Sequence, residues 1–469
     1  AELMQRIRVP VTNFQFGEIS PSLTSRTDSP IYKASAQKVE NLFLRAEGGV
    51  IKRSGLRNIY KYSDITYDSI PRQQVRIVPF IFSDDERYVV SLEDQKVRIF
   101  FLDPQTGNVS LEATITQDVD SNPLPWVDTY LHEVTYAQAG DVMFLCHNTF
   151  APRQLVRTGL TTFQVELFTF QGNPDADQIY QPYYSFQGLD VTLGSSATTG
   201  DGITLTTSRA YFDITGSQVG GSYPDSKHIG VTLRYGTSEI EIVSVQSTTS
   251  ATGNILSELN QQLSINPFTT TSGSHVIKVN QNNHGLSTGN SITVSGAGDV
   301  GGITINQING ARTIASIIDE NNYTFDAGAN ANAFEVGGGA PTIVTNAPTR
   351  NWTEQSFSVY RGYPAAVTFH ENRLWFGGTL GQPDGVWGSK SSKYYNFDVG
   401  EAADSDSIQI TSSIGEINAV RHMVSNRDLQ IFTSTSELYI PALSNQPVTP
   451  TNARIIRQTP FGSGYARPQ

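Results

Sequence analysis

The chain has 469 residues, 38% of them hydrophobic and only 16% charged, with a formal net charge of −12. An excess of 44 acids over 32 bases argues against a protein that grips nucleic-acid phosphates through Lys and Arg clusters, though not against a channel wall that repels passing DNA. The lone cysteine, Cys146, excludes intrachain disulfides and a Cys-based zinc site, and its apolar neighbours mark it as a small buried side chain.

Residues 1–70 read as an N-terminal arm. Residues 1–10 lack the apolar core of a signal peptide, and no run in the chain reaches the ~18 apolar residues of a membrane span, so a soluble protein made in a reducing cytoplasm is expected. Residues 35–44 fit a short helix or a strand equally well. The arm is expected to pack on other parts of an assembly.

Residues 71–184 carry a strand–turn–strand unit twice. The turns are Ser83-Asp84-Asp85-Glu86-Arg87, between apolar runs 75–82 and 88–92, and Ala139-Gly140-Asp141, between 134–137 and 142–146. The unit returns twice in residues 351–469. There the turns are His370-Glu371-Asn372-Arg373, between 365–369 and 374–376, and Ser425-Asn426-Arg427-Asp428, between 417–424 and 429–432. Within each pair the copies lie about 55 residues apart, with several short strands per period, as in an array of β-propeller blades. The first copy runs on through residues 97–102 to a turn where Pro104 fixes φ and Gly107 frees it. The second ends in residues 163–170, whose imperfect alternation fits a strand buried on both faces.

Between the pairs, residues 185–350 lose aromatics and gain Gly, Ser, Thr and Asn. Their strand-like runs predict two inserted, small β-barrel-like modules, about 185–260 and 268–345. Residues 255–263, in the joint, are the best short-helix candidate. Gly337-Gly338-Gly339 precedes Ala340-Pro341 rather than a helix, so it reads as a hinge-like exit and not as a phosphate loop. The fold class expected is therefore all-β, with propeller-type blades and two inserted modules. The pattern stops abruptly over residues 459–469. Four blades are few for a closed propeller, so further blades are expected beyond Gln469 or from elsewhere.

No catalytic, cofactor-binding or metal-binding residue is expected. Asp84-Asp85-Glu86 and Asp404-Ser405-Asp406-Ser407 lack the spacing of a Ca²⁺ loop and read as turns or intersubunit contacts. Propellers can be glycosidases, but no carboxylate pair can be assigned, and sialidase-type Ser-x-Asp-x-Gly-x-Thr-Trp repeats are absent. His284, beside Gly285, reads as a ring that satisfies loop backbone. Trp126, Trp352, Trp375 and Trp387 suggest a sugar-stacking platform, although Trp375 lies in an apolar run that suits a core.

An ordered set of motifs resembles a known family. It opens with Phe16-Gly17-Glu18-Ile19-Ser20-Pro21, Arg26, Asp28, Tyr32, Asn41, Gly48-Gly49, Arg53 and Gly55. Tyr136-Ala137-Gln138-Ala139-Gly140-Asp141-Val142-Met143-Phe144 follows, with Pro152, Leu155 and Arg157. Later come Tyr363-Pro364-Ala365-Ala366-Val367-Thr368-Phe369, Asn372-Arg373-Leu374-Trp375-Phe376-Gly377-Gly378, Ser389-Lys390, Tyr395-Asn396-Phe397 and Asp404-Ser405-Asp406-Ser407-Ile408. Across residues 12–180 and 357–465 this order resembles the tail tubular protein B, or nozzle, family of short-tailed bacteriophages. The segment from His284 to Asn290 resembles small β-modules inserted in phage structural proteins.

The resemblance implies a structural, non-enzymatic subunit of the virion tail, without cofactors. It implies a homo-oligomeric ring, hexameric in such tails, below a tail adaptor protein, with tail fibres or tailspikes docked nearby and viral DNA passing through untouched. Arg26, Asp28, Tyr32 and Arg53 are the candidate assembly contacts. The rival reading is a carbohydrate-binding propeller that recognises the host surface.

Overall fold

Short apolar runs broken by turn residues favour strands over helices, and the chain is all-β in the computed structural model. The described residues are 12–60, 75–173, 178–188, 190–400, 402–412, 418–442 and 446–468. Their helices are at most six residues long, and none is long and apolar enough to cross a membrane. Residues 1–10, read above for a signal sequence, and Ile417, in the fourth repeat, lie outside the described residues. Contacts divide the chain into two units, Ala1–Pro71 and Arg72–Gln469.

In the first unit, Leu42–Leu44 pairs with Val50–Lys52 as an antiparallel ribbon, so a strand takes the last three residues of 35–44 and the rest is neither helix nor strand. Helical turns lie earlier, a 3-10 turn at Pro21–Leu23 and an α turn at Pro30–Lys33, where Pro30 presets φ and the Ser29 hydroxyl caps the Ile31 amide at 3.2 Å. Ile19 is the one buried large aliphatic side chain among the described residues of this unit.

The second unit contains four four-stranded antiparallel meanders, each in simple chain order. Sheet I comprises Arg76–Ile81, Arg87–Glu93, Lys96–Leu102 and Val109–Ile115; sheet II comprises Thr135–Ala139, Val142–His147, Phe150–Arg157 and Phe163–Leu167. Sheet III comprises Ala366–His370, Arg373–Gly377, Gly385–Gly388 and Ile408–Thr411; sheet IV comprises Val420–Ser425, Leu429–Thr433, Glu437–Ile440 and Ile456–Thr459. Each repeated turn joins the first two strands of its sheet. Glu371 and Asn372 both have positive φ, +45° and +57°, the combination that closes a two-residue hairpin whose twist matches its strands.

Strand periodicity stacks these sheets face to face. In Val142–His147, Met143 and Leu145 join the core shared with sheet I, whereas Phe144 and Cys146 join the core shared with sheet III. In Arg373–Gly377, Leu374 and Phe376 face sheet II and Trp375 faces sheet IV. Both strands are therefore apolar at nearly every position, as a sheet covered on both faces requires.

The insertion forms two larger sheets. The seven-stranded one runs in space Tyr183–Tyr184, Trp352–Gln355, Thr232–Tyr235, Ser238–Ser247, Ser250–Ile255, Gly200–Thr207, Leu193–Ser195. The eight-stranded one runs Asn260–Gln262, Thr342–Val344, Ser291–Ser295, Gly310–Asp319, Asn322–Asp326, Val276–Asn280, Phe268–Thr270, Glu335–Gly337. The end strands of neither sheet pair with one another, so the barrel-like expectation is corrected: no closed barrel forms among the described residues.

Two further corrections concern this region. Residues 255–263 form no helix, because Leu259, Gln261 and Leu263 are buried at a period of two, which suits the strand Asn260–Gln262. Gly337 to Gly339 are no exit hinge, since Gly337 ends one strand of the eight-stranded sheet and Gly338 and Gly339 lead on towards another. Gly338, at φ +101°, is packed so tightly that a Cβ would sit 2.3 Å from the Phe268 ring. Nor does the insertion hang on loose linkers: Tyr183–Tyr184 and Trp352–Gln355, which flank it, are hydrogen-bonded neighbours.

Candidate functional site

The four candidate assembly residues all lie in the first unit. Arg26 and Asp28 pair with each other through two bonds, Nε to Oδ1 and Nη2 to Oδ2, both 3.0 Å. Their side chains remain 64% and 69% exposed. The Arg26 guanidinium holds the Asp28 carboxyl below its ordinary range. Tyr32 sits on the Pro30–Lys33 turn, and Arg53 is exposed just beyond the ribbon, where its amide donates to the Asn41 carbonyl at 2.8 Å. Arg26 and Tyr32 line one small cavity with Ile19, Leu23, Ser29 and Ile31, whereas Arg53 lies outside it. What sequence reading missed here is the apolar surface beside them. Phe43 and Leu56 are 61% and 85% exposed, and Phe16, Leu42, Leu44, Val50 and Ile51 are also open. The signal was present in 42–44 and 50–51, apolar runs too short to bury both faces of a two-stranded ribbon.

In the second unit, the first strands of all four sheets meet at one small cavity. Its wall takes Arg76 from sheet I, Thr135 and Tyr136 from sheet II, Val367 from sheet III, and His422 and Met423 from sheet IV. The Thr135 hydroxyl donates to the Ala365 carbonyl at 2.7 Å, tying sheets II and III beside it. A larger cavity of about 530 Å³ adjoins, lined by Arg76, Leu131, His132, Tyr136, Tyr465 and Arg467 among others. Arg467 lies 4.0 Å from the Tyr136 ring centre, and Arg421 4.4 Å from that of Tyr465. His422 Nε2 donates to the Tyr465 carbonyl at 3.1 Å. Burial, reinforced by Arg76, Arg467 and Arg421, pushes the His422 pKa down.

A second polar cluster is closed to solvent. Glu354 is fully buried and accepts two parallel bonds from Arg361, Nε to Oε1 at 2.9 Å and Nη2 to Oε2 at 2.6 Å. Tyr211 donates to the same carboxylate and accepts from Arg361 at 3.0 Å, while His228 Nε2 lies 3.8 Å away, too far for a hydrogen bond. Burial pushes the Glu354 carboxyl up, but His228 and Arg361 outweigh it and hold it low. With no route for substrate, the cluster is a clamp between the seven-stranded sheet and the loop leading into sheet III.

The remaining candidates are structural. Asp406 pairs with Lys390, and Arg373 binds the carbonyls of Ser389, Asp404 and Asp406, holding the Asp404–Asp406 run as a tied loop. His284 accepts from the Leu286 amide at 2.9 Å and donates to the Asp319 carbonyl at 3.0 Å. All four tryptophans are fully buried, so none offers a face to a sugar. Among the described residues no group of three or more His, Cys, Asp or Glu is placed to hold a metal ion.

No protein-family profile and no curated protein matches this chain. Among solved structures it is similar to the phage phi92 endosialidase, at 11% identity and a TM-score of 0.17. That match covers 70% of this chain and 57% of that one, so the chain spans less than two thirds of the endosialidase. It is also similar to the uncharacterized protein lmo1340 from Listeria monocytogenes EGD-e, at 9% identity and a TM-score of 0.18, covering 84% of this chain and 85% of that one.

Proposed function

We propose that the chain is a structural subunit of a short-tailed phage nozzle, built on propeller-type blades and assembling into a ring that conducts DNA out of the virion. One observation carries this reading. Four consecutive meanders, in two pairs around a large insertion, stack face to face with their first strands at a common cavity, as blades gather their innermost strands about an axis. The motifs that resemble the nozzle family fall on these sheets and on the first unit. The exposed apolar ribbon supports assembly, since a surface of this kind is covered in the working state of a protein.

The purified chain is expected to give closed rings with an open axis by electron microscopy. Phe43→Asp or Arg26→Ala should abolish or weaken ring formation while leaving the unfolding transition of the second unit in place. A monomer that binds glycan would overturn the ring and favour host-surface recognition. Equal loss of folding and assembly would reduce Arg26–Asp28 to a local turn pair.

The ring lumen is proposed to be neutral to acidic. At low salt the ring should give no tight, salt-sensitive shift of duplex DNA, and such a shift would sink the smooth-conduit reading.

A further inference from the structure

The geometry points to the larger cavity beside the first strands as a binding site for a small oxyanion of the phosphate class, held by Arg76 and Arg467. This goes beyond the conduit reading and does not depend on it, because the site lies within one subunit.

The charge distribution is the first argument. The chain carries a net −12, yet Arg76 and Arg467 line this cavity, with Arg421 over Tyr465 and bonded to the Ser463 carbonyl, and none of the three arginines pairs with a carboxylate among the described residues. Glu133, adjacent to His132, is engaged with His132 and His147. Elsewhere buried arginines are answered by acids, as Arg157 by Glu86 and Asp141 and Arg153 by Asp118, or by several carbonyls, as Arg373 by those of Ser389, Asp404 and Asp406. Burial lowers the Arg76 pKa, and Arg467 lowers it further by like-charge repulsion. An arrangement that strains its own cations is relieved by an anion.

Donor geometry is the second argument. Arg76 Nη1 donates to the carbonyls of Leu131 and His132, which fixes the fork and leaves Nε and Nη2 uncommitted. Among the described residues Arg467 stacks on Tyr136 and makes no hydrogen bond or ion pair, so its N–H groups are open along the rim. Two oriented forks beside one ring suit a tetrahedral oxyanion, which takes bidentate bonds from each.

The walls also limit size. About 530 Å³ holds a small ligand and excludes a duplex. Arg467 covers one face of Tyr136 and Arg421 one face of Tyr465, which leaves less ring for stacking on a base.

Titration calorimetry of the full chain with inorganic phosphate, against chloride at matched ionic strength, tests the site. Arg467→Gln, on an exposed segment, and Arg76→Lys, which keeps the charge but loses the fork, should each weaken phosphate binding about tenfold. Arg26→Ala should leave it unchanged. Competition by dimethyl phosphate would assign phosphodiesters as the source, and its failure would assign free phosphate or a monoester; both support the site. Phosphate binding no stronger than chloride, or wild-type affinity in an Arg76→Lys/Arg467→Gln double variant, would overturn it.

Discussion

Arg361→Ala is expected to cost about 3–5 kcal/mol of stability, more than any single surface substitution in this chain. The change leaves the Glu354 carboxylate fully buried with only the Tyr211 hydroxyl bonded to it and His228 at 3.8 Å. It also removes a guanidinium lying over Phe186 and Tyr360, at 4.0 and 4.6 Å from their ring centres. Urea unfolding followed by tryptophan fluorescence reads the effect, because Trp352 packs edge-on against Tyr211 at 4.7 Å. Glu354→Gln with Arg361→Met removes both charges, and should recover a large part of the loss. A single-variant loss below about 1 kcal/mol would mean that the pair is not what holds the clamp.

Acidification should destabilise the second unit well before its carboxylates titrate. His147, His284, His370 and His422 are buried, and burial lowers the pKa of each. In the unfolded chain each titrates near ~6.5. The unfolded state therefore binds more protons as pH falls through that value, and stability complete above it declines until the lowered folded pKa values are reached. The slope is up to about 1.4 kcal/mol per pH unit for each histidine. His284 shows the mechanism: its Nδ1 accepts from Leu286 and so must lose that bond when protonated. Falling net negative charge acts in the opposite direction, but most carboxylates titrate near ~4, so the histidines dominate between pH 7.5 and 5.5. Urea midpoints at those two pH values should differ clearly. Identical midpoints would refute the argument.

The four repeated turns are legible in the sequence because each needs residues that tolerate a reversal, and Glu371-Asn372 and Gly140 adopt positive φ where the reading placed them. The meanders follow from apolar runs on either side of those turns. The joint at 255–263 misleads because Leu259 and Leu263 are four apart, a spacing that suits both a helix face and alternate positions of a strand. Only the partner strand Thr342–Val344, some eighty residues on, decides between them. Closure of the inserted sheets is equally invisible, since alternation marks which face is buried and not which edge finds a partner. The Arg76–Arg421–Arg467 cluster escapes sequence reading for the same reason: its members come from two strands far apart in the chain and a tail segment. Arg26 and Asp28, two residues apart, pair as a local motif can, and Tyr32 shares a cavity with Arg26, whereas nothing local joins them to Arg53.

The pairing of Tyr183–Tyr184 with Trp352–Gln355 sets an order of events during synthesis. Sheets I and II are complete in the chain before the insertion begins. The eight-stranded sheet, residues 260–344, lies wholly inside the span of the seven-stranded one. At roughly 5–20 residues per second, the ribosome takes about 10–35 s to travel from Tyr183 to Gln355. Throughout that interval the inner sheet can finish while its host lacks the Trp352 strand that fills its core. The host sheet is therefore among the last parts of the insertion to close, and its unpaired Thr232–Tyr235 edge is the one a chaperone would have to guard.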